Sequence, residues 1–272
     1  MDTLTNILFS PFFQRALLVG LALGLLMATM GVLVVLRRLS FFADAIGHSA
    51  LAGIALGLLF TSNAFWPALI FTVLMALAIS TIRRYSRLHL DTLLGVFFPG
   101  AMALGIIIIQ TLPGYQTDLL ALLFGDILSV QTSDIYLSVT LAIIIGTLLA
   151  WLGKKFIAIT VNESLAQAEG VQVWFYETIF LVMLAIVIAL AIKLVGIVLV
   201  TALLVIPAAT AQNISRSLTS LVLISGIVST IAVIAGLISS AIFNIPSGPG
   251  IVLSASACFA ISLLLKNLKV SL

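Results

Sequence analysis

Residues 40–60 read SFFADAIGHSALAGIALGLLF, a segment that is long and apolar enough to cross a bilayer except for Asp44 and His48. An ionisable side chain is costly in hydrocarbon unless it faces a packed interior, water or an ion, so this pair indicates function. Residues four apart share one face of a helix. One carboxylate oxygen and one imidazole nitrogen can therefore converge on a divalent cation. The alternative is that the two side chains bond each other, or a backbone carbonyl, and only lock the helix.

The composition of the whole chain is typical of a membrane protein. Of its 272 residues, 62% are hydrophobic and 8% are charged, whereas about 25% are charged in an average soluble domain. The length allows many spans of about 20 residues each, so we predict a single transmembrane domain over residues 1–272. Cys258 is the only cysteine in the sequence, which excludes an intrachain disulfide and a thiolate metal cluster.

Apolar runs between polar breaks predict an all-α, polytopic membrane fold with about nine transmembrane helices. The predicted spans are 12–36, 40–60, 64–82, 92–112, 134–152, 174–192, 194–212, 217–243 and 250–266. The sixth and seventh spans come from one apolar run that is too long for a single crossing, and Lys193 with Gly196 marks the predicted turn. The first apolar segment follows Asp2 rather than a basic region, so it is expected to remain as a span.

The distribution of basic residues predicts the orientation, because cytoplasmic loops carry an excess of Lys and Arg. Nine spans place ten basic residues on the cytoplasmic side: Arg37, Arg38, Arg83, Arg84, Arg87, Lys154, Lys155, Arg216, Lys266 and Lys269. Only Arg15 and Lys193 fall on the other side. The amino terminus is therefore predicted to be external and the carboxyl terminus cytoplasmic. An eight-span topology would move the loops after Lys193 to the opposite side of the membrane and would place Lys266 and Lys269 outside.

Three residues in or near the spans are candidates for a kink or a gate: Pro99, Lys193 and Pro207. A proline inside a helix removes a backbone hydrogen bond, and the resulting kink serves either packing or gating. Lys193 either extends its ammonium group to the interface or repels cations from a closed vestibule. Residues 245–253, IPSGPGIVL, are predicted to form a tight external turn.

Two segments outside the spans have helical character. Residues 161–175, VNESLAQAEGVQVWF, contain a helix-forming run between Asn162 as a cap and Gly170 as a stop. This helix either docks a partner or lies on lipid headgroups, and its two glutamates argue against an anionic leaflet. Residues 117–130, TDLLALLFGDILSV, are too short to span and predict an external interfacial or re-entrant helix with a solvated acidic rim.

Five collinear segments resemble the membrane permeases of bacterial zinc and manganese ABC importers: VVLRRLSFFADAIGHSALAGIALG, LDTLLGV, LLFGDILSV, VGIVLVTALLVIPAATA and IPSGPGIVL. The similarity extends over nearly the whole chain. It implies a multi-pass permease of the bacterial inner membrane that pairs with a second copy of itself. It also implies that the permease binds cytoplasmic ATPase subunits and receives metal from an external metal-binding protein, with lipid around it and no nucleic-acid partner.

The resemblance also assigns roles to residues of this chain. The intramembrane metal relay falls on Asp44 and His48, and the helix that contacts the ATPase falls on 162–170. The residues that it implicates in ATPase coupling are Asn162, Glu163, Leu165, Ala166, Glu169 and Gly170. The cargo would be a divalent metal ion, with no permanently bound cofactor.

ATP energy, if it is used, must come from another polypeptide, because the sequence has no GxxxxGK[ST] loop for binding ATP phosphates. The chain is therefore expected not to be an enzyme, and the absence of HExxH argues against an intramembrane metallopeptidase. A stand-alone secondary metal-ion carrier is the alternative transport hypothesis, although no internal repeat is evident.

The identity of the metal is left open by the ligand types. The resemblance of the DTLLG and LLVIPAATA motifs favours zinc, whereas Phe98 and Pro99 stand in a region where zinc permeases can carry a histidine. His89 is predicted to lie in a loop, so His48 is the only imidazole expected within the membrane. One carboxylate and one imidazole discriminate poorly among zinc, manganese and ferrous iron.

Overall fold

The computed structural model describes residues 10–60, 65–86, 88–111, 125 and 127–270, with side chains as far as Lys266. These residues form helices and no β-strand. The long helices are α1 (Pro11–Leu36), α2 (Ser40–Phe60), α3 (Phe65–Tyr85), α4 (Leu90–Thr111), α5 (Thr132–Val161), α7 (Val173–Val195), α8 (Ile197–Ile214), α9 (Leu218–Phe243) and α10 (Ser247–Val270). Two short elements complete the set, a 3-10 turn (Ile127–Ser129) and the helix α6 (Glu163–Ala168).

The predicted all-α membrane fold is confirmed, because nine of the described helices are long and apolar enough to cross a membrane. The largest difference from the predicted spans is in α5, which continues to Val161 instead of ending near residue 152. Lys154 and Lys155 mark the end of an apolar run, but lysine is a good helix former and does not end a helix. The helix ends at Asn162, where the backbone becomes extended.

The start of α10 also differs from the sequence-based expectation. The helix begins at Ser247, so Pro249 lies in its first turn rather than in a loop. Proline is tolerated there because the first N–H groups of a helix have no partner within the helix. The predicted turn over 245–253 is therefore shorter than expected, and Asn244 in the left-handed conformation (φ 51°) ends α9 before it.

The long apolar run before and after Lys193 forms two antiparallel helices. Gly196 separates α7 from α8 with a φ of +80°, a conformation that glycine adopts without steric cost. The first turn of α7 lies beside Arg37, whereas α8 leads to Leu218, which lines the same cavity as Leu36 at the end of α1. The chain therefore returns to the end of the bundle from which α7 started.

Several charged residues gather at one end of the bundle, which we call the basic end. Arg37 follows α1, Arg83 lies in the last turn of α3, and both pair with Glu177 in α7. Helix α6 lies at the same end, since Glu163 and Arg83 line one cavity. The opposite end, called the Lys193 end, carries the ion pair between Lys193 and Asp134.

The helices form a buried centre and an exposed outer layer. Most residues of α1, α2 and α7 are buried, whereas α3, α4, α5 and α10 expose much of their apolar surface. Close contacts join the centre to its neighbours: a Cβ atom placed on Gly24 would lie 2.8 Å from Ser229 Oγ, and one on Gly53 would lie 2.6 Å from Ala68 Cα. These small residues allow helix backbones to approach closely.

Some sequence-based predictions fall outside the described residues. Asp118, Asp126 and Arg87 are among them, and of the predicted segment 117–130 only Gly125 and 127–130 are described. The proposed kinks at Pro99 and Pro207 stay predictions, and each proline lies inside a continuous helix.

Candidate metal-transit site and coupling segment

Helix α2 brings Asp44 and His48 together on one face. The Oδ1 atom of Asp44 lies 3.6 Å from Nε2 of His48, and the side chains are 43% and 22% exposed respectively. This separation is longer than a hydrogen bond between a nitrogen and an oxygen. The two side chains are still close enough for an ion pair, so the alternative that they only lock the helix stays a prediction.

The other ring nitrogen of His48 is also without a bond. Nδ1 is buried and has no hydrogen-bond partner within the described part of the chain. A buried polar atom without a partner is unusual and needs a physical explanation. The orientation of the ring leaves Nε2 directed to the carboxylate side, where the pair is partly exposed.

The wall beside His48 is aromatic. Phe98 of α4 contacts the imidazole ring, and Phe41, one turn before Asp44, packs edge-to-face on Phe98 with ring centroids 6.3 Å apart. Pro99 follows Phe98 within α4. The fourth span therefore offers an apolar surface to the site, and it adds no metal ligand there.

Asp44 and His48 form an incomplete site in one chain. Among the described residues, no group of three or more His, Cys, Asp or Glu side chains is close enough to hold a metal ion. His89 is exposed in the turn between α3 and α4, away from the site as the sequence predicted. A cation at this position would need further ligands from water or from another chain.

The predicted coupling segment folds as a short, well-defined helix. Asn162 caps α6, since its Oδ1 accepts a hydrogen bond from the backbone N–H of Leu165 at 3.0 Å. Gly170 follows α6 with a φ of +81°, which ends the helix. Ala166 is buried in a small apolar cluster, whereas Leu165 is 58% exposed. The helix therefore holds one face against the protein and offers the other for contact.

Lys193 takes part in two contacts at the Lys193 end. Its Nζ atom lies 3.3 Å from Asp134 Oδ1 and 5.4 Å from the centroid of the Phe65 ring. The other oxygen of Asp134 accepts the backbone N–H of Gln131 at 3.0 Å, which caps α5. The ammonium group is thus neutralised by an acidic neighbour, and a role as a gate stays a prediction.

A second group of charges was missed by the sequence analysis. Glu177 accepts hydrogen bonds from Arg37 to Oε1 and from Arg83 to Oε2, the latter at 3.1 Å. The side chains of Glu177 and Arg37 are 15% and 8% exposed. The signal was present, because Glu177 is an acidic residue inside the predicted span 174–192 and the reasoning applied to Asp44 covers it equally.

Burial is the largest influence on the pKa of Arg37. It lowers the pKa of the guanidinium, while the neighbouring carboxylate of Glu177 acts in the opposite direction. The Nη1 atom is buried without a hydrogen-bond partner in the described residues. Glu177 is therefore the main compensation for a desolvated positive charge.

The fold and the site together define a multi-pass cell-membrane protein of the transport class, in which a partly buried acid–imidazole pair interrupts a bundle of apolar helices. The chain belongs to the ABC 3 transport family, whose sequence profile matches residues 10–266.

Relatives over nearly the full length support this assignment. The chain is 35% identical over 249 residues to the high-affinity zinc uptake system membrane protein ZnuB of Haemophilus influenzae, covering 91% of this chain and 95% of that protein. It is also 35% identical over 253 residues to the manganese transport system membrane protein MntC of Listeria monocytogenes, covering 93% of this chain and 90% of that protein.

A solved structure shows the same fold. The PsaBC structure from Streptococcus pneumoniae, in complex with Fab, is 33% identical and superposes with a TM-score of 0.84, covering 96% of this chain and 94% of the matched chain. The resemblance predicted from sequence is thereby confirmed, and the chain is a transport subunit rather than an enzyme.

Proposed function

We propose that this chain is the permease subunit of an ATP-driven importer that moves a divalent transition-metal cation across the bacterial inner membrane. Zinc is the first candidate, with manganese and ferrous iron as the others. The observation that supports this proposal is the Asp44–His48 pair, which has an oxygen and a nitrogen 3.6 Å apart on a partly exposed face of α2.

The spacing of the two donor atoms suits a metal ion between them. Zinc–ligand distances of about 2.0–2.2 Å and a tetrahedral angle place two donors roughly 3.4 Å apart. The observed 3.6 Å is close to that value. Asp44 would supply charge compensation, and neutral His48 would supply an inner-sphere nitrogen.

A site with few ligands suits transport better than storage. Conduction requires binding that is favourable enough for entry and weak enough for release. We propose that a second copy of the chain faces the 43% exposed Asp44 side chain and contributes its own Asp44 and His48 near the pore axis. The aromatic wall of Phe41 and Phe98 limits the number of donors on the remaining side.

Helix α6 is the proposed contact with the cytoplasmic ATPase subunits, which hydrolyse the ATP. Its exposed Leu165 is a candidate anchor, and Glu163 and Glu169 add polar contacts around it. This arrangement requires the basic end to be cytoplasmic and the Lys193 end to receive metal from the external binding protein. A reporter fused to the carboxyl terminus should therefore be found in the cytoplasm.

The proposal is tested by metal uptake into proteoliposomes that contain the permease, its ATPase and ATP. Asp44→Ala and His48→Ala should each abolish uptake while the complex still assembles. Ser49→Ala is the matched control, because Ser49 is buried on the same helix and its hydroxyl donates to the backbone oxygen of Ala45. Unchanged uptake in both site variants would remove the proposed role of the pair.

The choice of metal needs a direct comparison. The two relatives named for zinc and for manganese are each 35% identical to this chain, so their names carry equal weight. Uptake of radioactive zinc and manganese should be measured in competition with each other. A preference for manganese would revise the cargo without affecting the site.

The sequence left a secondary carrier as the alternative transport hypothesis, and membership of the ABC 3 transport family favours the ABC permease. The same purified chain, reconstituted without an ATPase, distinguishes the two. A carrier should move metal when an ion gradient is imposed, whereas an ABC permease should remain inactive until ATPase and ATP are supplied.

A further inference from the structure

Glu177 connects three helices at the basic end. It lies in the first turns of α7, and its two carboxylate oxygens bind different partners: Arg37 from the α1–α2 turn on Oε1 and Arg83 from α3 on Oε2. The chain separations are 140 and 94 residues. A carboxylate shared by two guanidinium groups holds the helices in one relative position, because charge-assisted hydrogen bonds are strong and directional.

The connection to α3 has additional support. Thr178 Oγ1 lies 2.5 Å from Ser80 Oγ, and the indole N–H of Trp174 donates to the backbone oxygen of Ser80 at 3.4 Å. The guanidinium of Arg84 stacks on the Trp174 ring, 4.4 Å from its centroid. The start of α7 and the end of α3 therefore stay together even without the bond from Arg83.

The start of α7 reaches the α1–α2 turn through Arg37, and α2 and α7 also pack directly further along, where Gly47 lies against Ile188. Arg37 bonds Glu177 and stacks on the ring of Phe180, 5.5 Å from its centroid. Arg37 caps α1 through its backbone N–H and belongs to the short turn before Ser40, where α2 begins. Asp44 lies in the second turn of α2. A displacement of Arg37 is therefore transmitted through the short turn of residues 37–39 to the helix that holds Asp44 and His48.

The connection from α7 to α6 is equally short. Only residues 169–172 separate the two helices. Val171 and Val173 pack with Ala166 of α6 in one buried cluster, so α6 and the start of α7 are expected to move as a unit. A continuous path of packed and bonded residues leads from the exposed face of α6 to α2.

We propose that Glu177 is a positioning residue that couples movement of α6 to the position of Asp44 and His48 through Arg37. This inference rests on the proposed function, in which the ATPase contacts α6. A domain movement at α6 pulls on the first turn of α7, and the buried Glu177–Arg37 pair carries it to the helix that holds the metal. Without the pair, ATP hydrolysis continues but moves the metal site less.

The test compares three variants in the reconstituted complex of permease, ATPase and binding protein. Glu177→Gln and Arg37→Gln should each lower the metal transported per ATP hydrolysed by about ten-fold or more, with ATPase activity near that of wild type. Arg83→Gln is the matched control. It should keep most of the ratio, because Ser80, Trp174 and Arg84 still join α3 to α7.

A purely structural role of Glu177 would give a different result. Uptake and ATPase activity would then fall together, in proportion to the amount of assembled complex, and the ratio would stay constant. That outcome overturns the inference. If the glutamine variants do not assemble, the double variant Arg37→Met with Glu177→Gln removes the pair without leaving a buried unpaired charge, and an unchanged ratio in that variant also overturns it.

The same experiment separates failure of this inference from failure of the proposed function. If wild-type complex transports metal with ATP and the Glu177→Gln ratio equals that of wild type, only the coupling role is wrong. If wild-type complex moves no metal with ATP, the proposed function is wrong and the inference falls with it.

Discussion

The ring of Phe98 lies against the ring of His48, with centroids 5.5 Å apart and an interplanar angle of 52°. This contact places an apolar side chain beside the proposed metal ligands. In the proposed transit site, Asp44 and His48 are therefore the two protein ligands from one chain. Two ligands bind a divalent ion less firmly than three or four, which favours rapid release.

Replacing the phenylalanine by histidine should convert a transit site into a binding site. We expect Phe98→His to raise the affinity for zinc and to slow uptake at saturating metal, because release becomes harder. Affinity is measured by titration of the purified protein with zinc, and uptake in proteoliposomes. Phe98→Leu is the control, since it changes the size of the side chain without adding a donor. Equal zinc affinity in the two variants would contradict this account of the site.

The exposed leucine of α6 should contribute to ATPase binding. Leu165 is 58% exposed on a helix whose other face is buried. We expect Leu165→Ala to weaken association with the ATPase by about ten-fold or more, because a buried leucine at an interface contributes on the order of 1.5–3 kcal/mol. Co-purification and titrated ATPase activity measure the effect. The control is Leu59→Ala, which changes an exposed leucine near the end of α2 and should leave ATPase binding as in wild type. Equal weakening by both variants would argue against α6 as the contact with the ATPase.

Two glycines offer a matched test of helix packing. A Cβ atom on Gly53 would lie 2.6 Å from the Cα atom of Ala68, whereas one on Gly146 would meet nothing within 4 Å. Gly53→Ala should therefore destabilise the protein by about 1–3 kcal/mol through overpacking. Gly146→Ala should be neutral or stabilising by up to about 1 kcal/mol, because alanine favours the helix. Thermal unfolding in detergent distinguishes them, and a reversed order would contradict the packing of α2 on α3.

The ion pair at the Lys193 end should contribute little to stability. The side chain of Lys193 is 47% exposed, and an exposed pair is worth about 1 kcal/mol or less. We expect Lys193→Ala to change the unfolding temperature slightly. Asp134→Ala should cost more, because Asp134 also caps α5 through the N–H of Gln131.

The same Lys193 variant distinguishes its two proposed roles. If the ammonium group only reaches the interface, uptake by Lys193→Ala should equal that of wild type. A faster leak of metal through the variant in the absence of ATP would instead support a gate that repels cations.

The fold was largely predictable because lipid imposes strong rules on the chain. Apolar runs of span length give the nine helices, and Gly196 interrupts the one run that is too long. The end of α5 was not predictable from hydropathy. Lys154 and Lys155 end the apolar run, but the helix continues until Asn162. Hydropathy reports where a helix leaves the apolar layer, whereas the end of the helix is set by the residue at which the backbone becomes extended.

The sequence by itself determined which residues share a face of one helix. Asp44 and His48 lie together because positions four apart in a helix are neighbours, and that spacing is local geometry. Tertiary structure decided which partners reach them from elsewhere. The contacts of Phe98 with His48 and of Glu177 with Arg37 and Arg83 join separate helices. They depend on how helices rotate and pack against one another, and helical periodicity does not encode this packing.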